Sequence, residues 1–265
     1  GRNEMRNTSK MTTLENKFPL LAVEHGCIVS KDADLTVAYE VELPELYTVT
    51  GAEYEAIHGC WCKAIKVLPD YSIVHKQDWF IKERYQPELH KDDMSFLSRS
   101  FERHFNERPY LKHTCYLFLT KTTKERNRMQ SNFSTLCRGH IIPKEIKDKE
   151  TVARFLDAVE QFARIINDSG YISLRRLTDE EITGTERTTG LVGKYLSLST
   201  ENVQCLEDME LSASGMRIGN KHLCLHTLSQ TEDLPTEVST DNRFERLSTD
   251  RSDCRLSFAA PVGLL

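Results

Sequence analysis

Leu35-Thr36-Val37-Ala38-Tyr39-Glu40-Val41-Glu42-Leu43 decides the fold class. Leu35, Val37, Tyr39, Val41 and Leu43 alternate with Thr36, Ala38, Glu40 and Glu42. That period of two marks a strand with one face buried. The stretch 20–30 ahead of it also reads as strand, and Lys31-Asp32-Ala33-Asp34 supplies a hairpin connection. Behind it, Thr50-Gly51-Ala52-Glu53 has capping-box spacing, in which the Thr hydroxyl accepts from an orphan N–H and the Glu reaches back to the cap. The helix it opens carries Tyr54, Ile57, Trp61, Ala64, Ile65 and Leu68 at three-to-four spacing, and Pro69 ends it.

The same alternation of strand and helix runs through the rest of the chain. A strand is expected over 71–85, with Ile73, Trp79 and Phe80, then a helix to Asn106 capped by Asp92 or Asp93. That helix places Leu97, Phe101, His104 and Phe105 on one face, and a buried strand, Cys115–Thr120, follows. Val152, Phe155, Leu156, Val159, Phe162, Ile165 and Ile166 form the strongest amphipathic pattern, closed by Gly170. A strand over 171–177 leads into Thr178-Asp179-Glu180-Glu181, which opens another helix. Beyond 200 the chain reads as short strands at 203–209, 216–218, 222–228 and 255–258, with an exposed loop over 230–253. No repeat of fixed period is present. The expected fold is α+β: two lobes of mixed, largely antiparallel sheet packed with amphipathic helices, over 1–120 and 150–265. Between them lies a basic connecting loop, 121–149.

Composition bounds the function. Among 265 residues, 35 Lys and Arg face 40 Asp and Glu, a net charge of -5, which argues against a dedicated duplex-DNA binder. No apolar run approaches the roughly 18–20 residues that span a bilayer; the longest are 18–23 and 259–265. The polar start lacks the apolar region of a signal peptide, and Gly1 reads as a remnant of tag removal. The apolar ending, Ser257 to Leu265, suggests a piece of a longer protein. Eight cysteines without regular spacing read as free thiols in a reducing cytosol.

Four patterns carry possible chemistry. Thr188-Thr189-Gly190-Leu191-Val192-Gly193-Lys194-Tyr195 ends like a phosphate loop, but Thr188 replaces the first Gly and Tyr195 the hydroxyl that would ligate magnesium. A helix break explains it better. His222, Cys224 and His226 would share one face of a strand, yet zinc needs about four ligands in a closed site and a fourth is missing. His58 and Cys62 lie four apart on one helix face, a pairing that serves a nucleophile only with an orienting third group. Within 121–149, Lys121, Lys124, Arg126 and Arg128 begin a basic run that is either a solvated surface or a contact for an acidic partner, nucleic acid or anionic lipid.

One resemblance adds to these readings. The string from Met5 to Pro19 (Met5-Arg6-Asn7-Thr8-Ser9-Lys10-Met11-Thr12-Thr13-Leu14-Glu15-Asn16-Lys17-Phe18-Pro19) resembles the TraG family of conjugative-transposon transfer proteins of Bacteroides-type bacteria. The likeness continues through Val67–Tyr71, His75–Lys82, Ser100–Pro109, Cys137–Pro143 and Arg246–Phe258. That family is similar to the VirB-type ATPases of type IV secretion. The resemblance implies an N-terminal docking domain, with ATP and magnesium bound in a C-terminal RecA-like domain outside this sequence. It further implies inner-membrane channel proteins and its own ATPase domain as partners, possible homo-oligomers, and a place at the cytoplasmic face of the inner membrane. No catalytic, cofactor or metal residue is carried over, and this stretch by itself is expected not to be an enzyme. A DNA-contacting domain and a small metal-dependent enzyme are the alternatives.

Overall fold

The computed structural model of the chain describes residues 18–32, 34–44, 49–84, 95–107, 109–122, 149–197, 208–212, 215–224 and 254–261. In chain order the first elements are β1 (Leu20–Glu24), β2 (Cys27–Ser30), β3 (Leu35–Glu42), α1 (Gly51–Ile65) and β4 (Ser72–Arg84). Then come α2 (Phe96–Glu107), β5 (Pro109–Lys121), α3 (Lys149–Asp168), β6 (Ser173–Arg176), α4 (Asp179–Thr183) and α5 (Leu191–Ser197). The described chain ends with β7 (Met209–Ser212), β8 (Gly215–Ile218), β9 (Lys221–Leu223) and β10 (Cys254–Pro261). The fold class is α+β, as the alternation of periods indicates.

Seven strands form one antiparallel sheet in the order β1-β2-β3-β5-β4-β10, with β6 also paired to β3. β3 sits at its centre. One edge of β3 pairs with β5, from Leu35 opposite Lys121 to Val41 opposite Cys115. The other edge is shared: β2 takes Leu35 to Val37, and β6 takes Tyr39 to Glu42. Without β6 the second half of β3 would keep unpaired backbone groups, which a buried strand does not tolerate. β10 pairs with β4 along its whole length.

This pairing changes the expected organisation. β6 and β10 come from the second predicted lobe, yet they lie in the sheet begun by the first. The core is shared too: Phe155, Val159, Phe162 and Ile166 of α3 join Val37, Tyr39, Leu117 and Leu119 in one cluster. The boundary at 121–149 therefore does not divide two cores. The reason is amphipathicity. β3 and β5 present one apolar face, and the long stripe of α3 covers it, each fully buried side chain contributing about 1.5–3 kcal/mol.

α1 and α3 pack side by side on that face, with the rings of Trp61 and Phe162 edge to face at 6.0 Å. The Thr50–Glu53 capping box forms as its spacing indicates: Thr50 N donates to Glu53 Oε2 at 2.8 Å and Glu53 N to Thr50 Oγ1 at 3.3 Å. α3 ends where Gly170 takes a φ of 72°. The cap expected for α2 at Asp92 or Asp93 lies outside the described residues. Ser95 fills that role, accepting at Oγ from Ser98 N at 3.2 Å.

The opposite face of the sheet is also covered, although β3 offers it Thr36, Ala38, Glu40 and Glu42. Ala38 is buried there with Trp79, Ile81 and Tyr116, beneath Leu177, Ile182 of α4 and Leu191 of α5. Trp79 Nε1 donates to Gln77 Oε1 at 2.8 Å, so its buried N–H is satisfied. β7, β8 and β9 form a separate three-stranded meander; β8 falls on the strand expected over 216–218, and most of the strands expected over 203–209 and 222–228 lies outside the described residues.

Candidate functional site

Lys121, first of the basic residues singled out by the sequence, is the last residue of β5, between Leu35 and Ser72. Its Nζ lies 5.3 Å from the centroid of the Tyr71 ring and donates to the backbone carbonyl of Asp70. This is a cation held over an aromatic face. With Pro69, Asp70, Tyr71, Thr151 and Arg154 it lines a cavity of about 200 Å³. Arg154 is paired to Glu150 across one turn of α3, at 3.0 Å. Lys124, Arg126 and Arg128 lie outside the described residues.

One polar cluster among the described residues was not singled out by the sequence. The β4–β5 register sets Asp78 opposite Cys115 and Phe80 opposite His113, with Lys76 two residues before Asp78 on the same face. His113 Nε2 donates to Asp78 Oδ1 at 2.8 Å, Lys76 Nζ donates to Oδ2, and the His113 ring stacks flat on Phe80 at 4.6 Å. Burial alone would push the Asp78 carboxyl up. The hydrogen bonds from His113 and Lys76, and the charge of Lys76, outweigh it and hold the group down to about 2. Cys115 goes the other way: burial pushes its thiol up to about 12, so near neutral pH it is protonated and inert. The cluster is thus a fixed ion network beside a buried thiol, not a nucleophile beside its base. Period-two spacing along 76–80 and 113–115 was the available signal, but only the strand register brings the two rows together.

The phosphate-loop near-match is accounted for by packing. Thr185 N donates to Thr188 O at 2.8 Å, Thr188 N to Thr185 Oγ1 at 3.2 Å, and Gly184 bridges Thr189. A Cβ at Gly190 would stand 2.2 Å from Gly184 N and 2.4 Å from Thr183 C. The glycine is there because two backbone segments touch. A hydrogen-bonded turn replaces the expected helix break, and Lys194 and Tyr195 lie within α5.

Of the two other predicted groupings, one is only partly described and one forms. β9 ends at Leu223, with His222 and Cys224 exposed, and His226 is outside the described residues. Among the described residues no three His, Cys, Asp or Glu side chains converge as a metal set. His58 and Cys62 do meet, Nε2 to Sγ at 3.8 Å on the exposed side of α1. Among the described residues the most exposed large apolar side chains are on α2 and β7: Phe96 is 80% exposed, Leu97 78% and Leu211 80%. Among the described residues no helix is long and apolar enough to cross a membrane.

A family model described as a domain of unknown function, B. Theta gene description (DUF3875), matches residues 7–59. That span takes in β1 to β3 and the first two turns of α1. Comparison with curated proteins gives no match.

Proposed function

We propose that this chain is a docking and assembly domain of a conjugative-transfer ATPase, working at the cytoplasmic face of the inner membrane against channel proteins. The reading rests first on the long strings that resemble the TraG family; the span matched by the domain of unknown function overlaps the first of them. The structural observation that carries it is the pair Phe96 and Leu97, adjacent on α2 and each about four-fifths exposed. Large apolar side chains at the start of a helix lose free energy in water and regain it against a partner. Stable recruitment needs an interface of roughly 1,000 Å² or more, so this pair acts as an anchor within a larger surface. Basic residues near an anionic bilayer would add about 1 kcal/mol each, a salt-sensitive bias rather than an attachment.

Co-expression with inner-membrane conjugation proteins tests the reading. The chain should co-purify with a channel component in detergent and remain in the supernatant without one. Binding to single-stranded DNA that weakens steeply with salt, with no channel component retained, would favour the DNA-contacting alternative instead.

A further inference from the structure

His75 stands where the last strand of the sheet joins the central ones. On β4 it lies opposite Phe118 of β5 on one side and Ala259 of β10 on the other. Its ring tilts against that of Phe118, with centroids 5.5 Å apart. Its Nε2 is buried with no hydrogen-bond partner. A buried polar atom without a partner costs free energy even when neutral, and far more once it carries charge. Lys76, Asp78 and His113 occupy the opposite face of these strands. On the His75 face, the titratable or charged positions nearest by register are Tyr116 of β5 and Arg255 of β10, the latter opposite Trp79. Tyr195 of α5 reaches Trp79, with ring centroids 6.3 Å apart. None of these is a carboxylate, and burial holds the imidazole below its ordinary 6.5.

We propose that His75 is an acid-sensitive latch: a proton taken up by its buried imidazole releases β10 from β4 and opens that edge of the sheet. β10 is the strand that yields. Among the described residues it pairs with β4 alone, over eight positions. β4 and β5 share thirteen pairs, and β5 is pinned again by β3, so the central strands need far more to part. When β10 leaves, the imidazole meets water and recovers its ordinary affinity for a proton. The attached imidazole binds its proton less readily than the released one. Attachment is therefore fully present above the ordinary 6.5 and weakens as pH falls below it.

The test is amide hydrogen exchange of the full chain, read by mass spectrometry at about pH 7 and about pH 5.5 and corrected for the intrinsic pH dependence of exchange. Protection over 254–261 should fall by about three- to eightfold between the two, the upper figure being all that one imidazole of ordinary affinity can contribute over that range. Protection over Val37–Val41 of β3 should hold. His75→Phe keeps a ring against Phe118 and cannot take the proton, so its protection over 254–261 should be equal at both pH values. His75→Gln, polar but uncharged, should behave alike, which separates the lost proton from repacking around the new ring. A fall of less than about threefold in the parent, a fall that persists in either variant, or an equal fall over Val37–Val41 overturns the latch.

Discussion

Asp179, at the start of α4, accepts with its carboxylate from the backbone N–H of Gly26, far away in sequence in the turn between β1 and β2. Its other oxygen accepts from His25 N at 3.0 Å, and Arg176 completes the clamp by donating to the His25 carbonyl at 3.1 Å. His25 and Gly26 have φ values of 55° and 69°, the left-handed pair of a tight hairpin turn, and both N–H groups would otherwise point at water. Asp179→Ala removes a charged acceptor from two donors. Charged hydrogen bonds contribute about 1.5–3 kcal/mol when buried, and the half-exposed position lowers that to about 1–2 kcal/mol. Urea denaturation should show a lower midpoint with unchanged slope. A midpoint equal to the parent's would mean the clamp does not hold the hairpin.

Asp78 makes stability depend on acid. Its folded carboxyl is held down to about 2, against an ordinary 3.8, so the folded state binds its proton less readily than the unfolded one. The stabilisation is complete above the unfolded value and is lost as pH falls through the folded value. Each pH unit of difference is worth about 1.4 kcal/mol, and partial solvent access brings the total to about 1–2 kcal/mol. Stability measured between pH 6 and pH 2 should therefore fall less steeply in Asp78→Asn, by about that amount. Identical pH profiles in the two proteins would contradict the ion network.

What could be read from sequence, and what could not, separates by distance along the chain. The Thr50 cap, the α3 stripe and the Gly170 stop are local: each needs only a few neighbouring residues, so spacing reveals them. The β1–β2 turn escaped because His25-Gly26 lacks the usual Asn-Gly or Asp-Gly signature and its support, Asp179, arrives from α4. Asp78 and His113 meet through a register fixed by thirteen residue pairs between β4 and β5, which no local window contains. The lobe boundary failed for a similar reason. Loss of apolar periodicity over 121–149 resembles a linker, but the next elements return to the same sheet because β3 and β5 still have an edge and a face to cover. Of the candidate site residues, Lys121 was expected to open the connecting loop and is instead the last residue of β5, and its seat over Tyr71 was not foreseeable.

Gly190 and Gly59 should respond oppositely to the same change. A Cβ at Gly190 would stand 2.2 Å from Gly184 N, backbone against backbone with no flexible side chain to yield. Gly190→Ala should force α4 and α5 apart and cost about 3 kcal/mol or more, exposing Leu191 and speeding proteolysis after Arg187. Gly59 lies inside α1 with nothing within 4 Å of its would-be Cβ. Gly59→Ala should stabilise by about 0.5–1 kcal/mol. Thermal melts of both variants decide the matter, and a neutral Gly190→Ala would remove the packing account of the phosphate-loop near-match.

Phe96 and Leu97 separate a binding role from a folding role. At 80% and 78% exposure they bury little area on folding, so replacing both with Ser should change stability by no more than about 0.5 kcal/mol. Each Ser also supports the first turn of a helix about as well as Phe does, so α2 should persist by circular dichroism. If the pair anchors a partner, the same double change should weaken capture of the channel component by about tenfold or more, since truncating a central apolar anchor commonly costs about 2 kcal/mol. The basic residue Lys121 provides the contrast. Its Nζ is engaged with Asp70 and Tyr71, so Lys121→Ala should lower stability modestly and leave capture nearly unchanged at physiological salt. Capture unaffected by Phe96→Ser with Leu97→Ser but abolished by Lys121→Ala would move the docking surface from α2 to the strand end that carries Lys121.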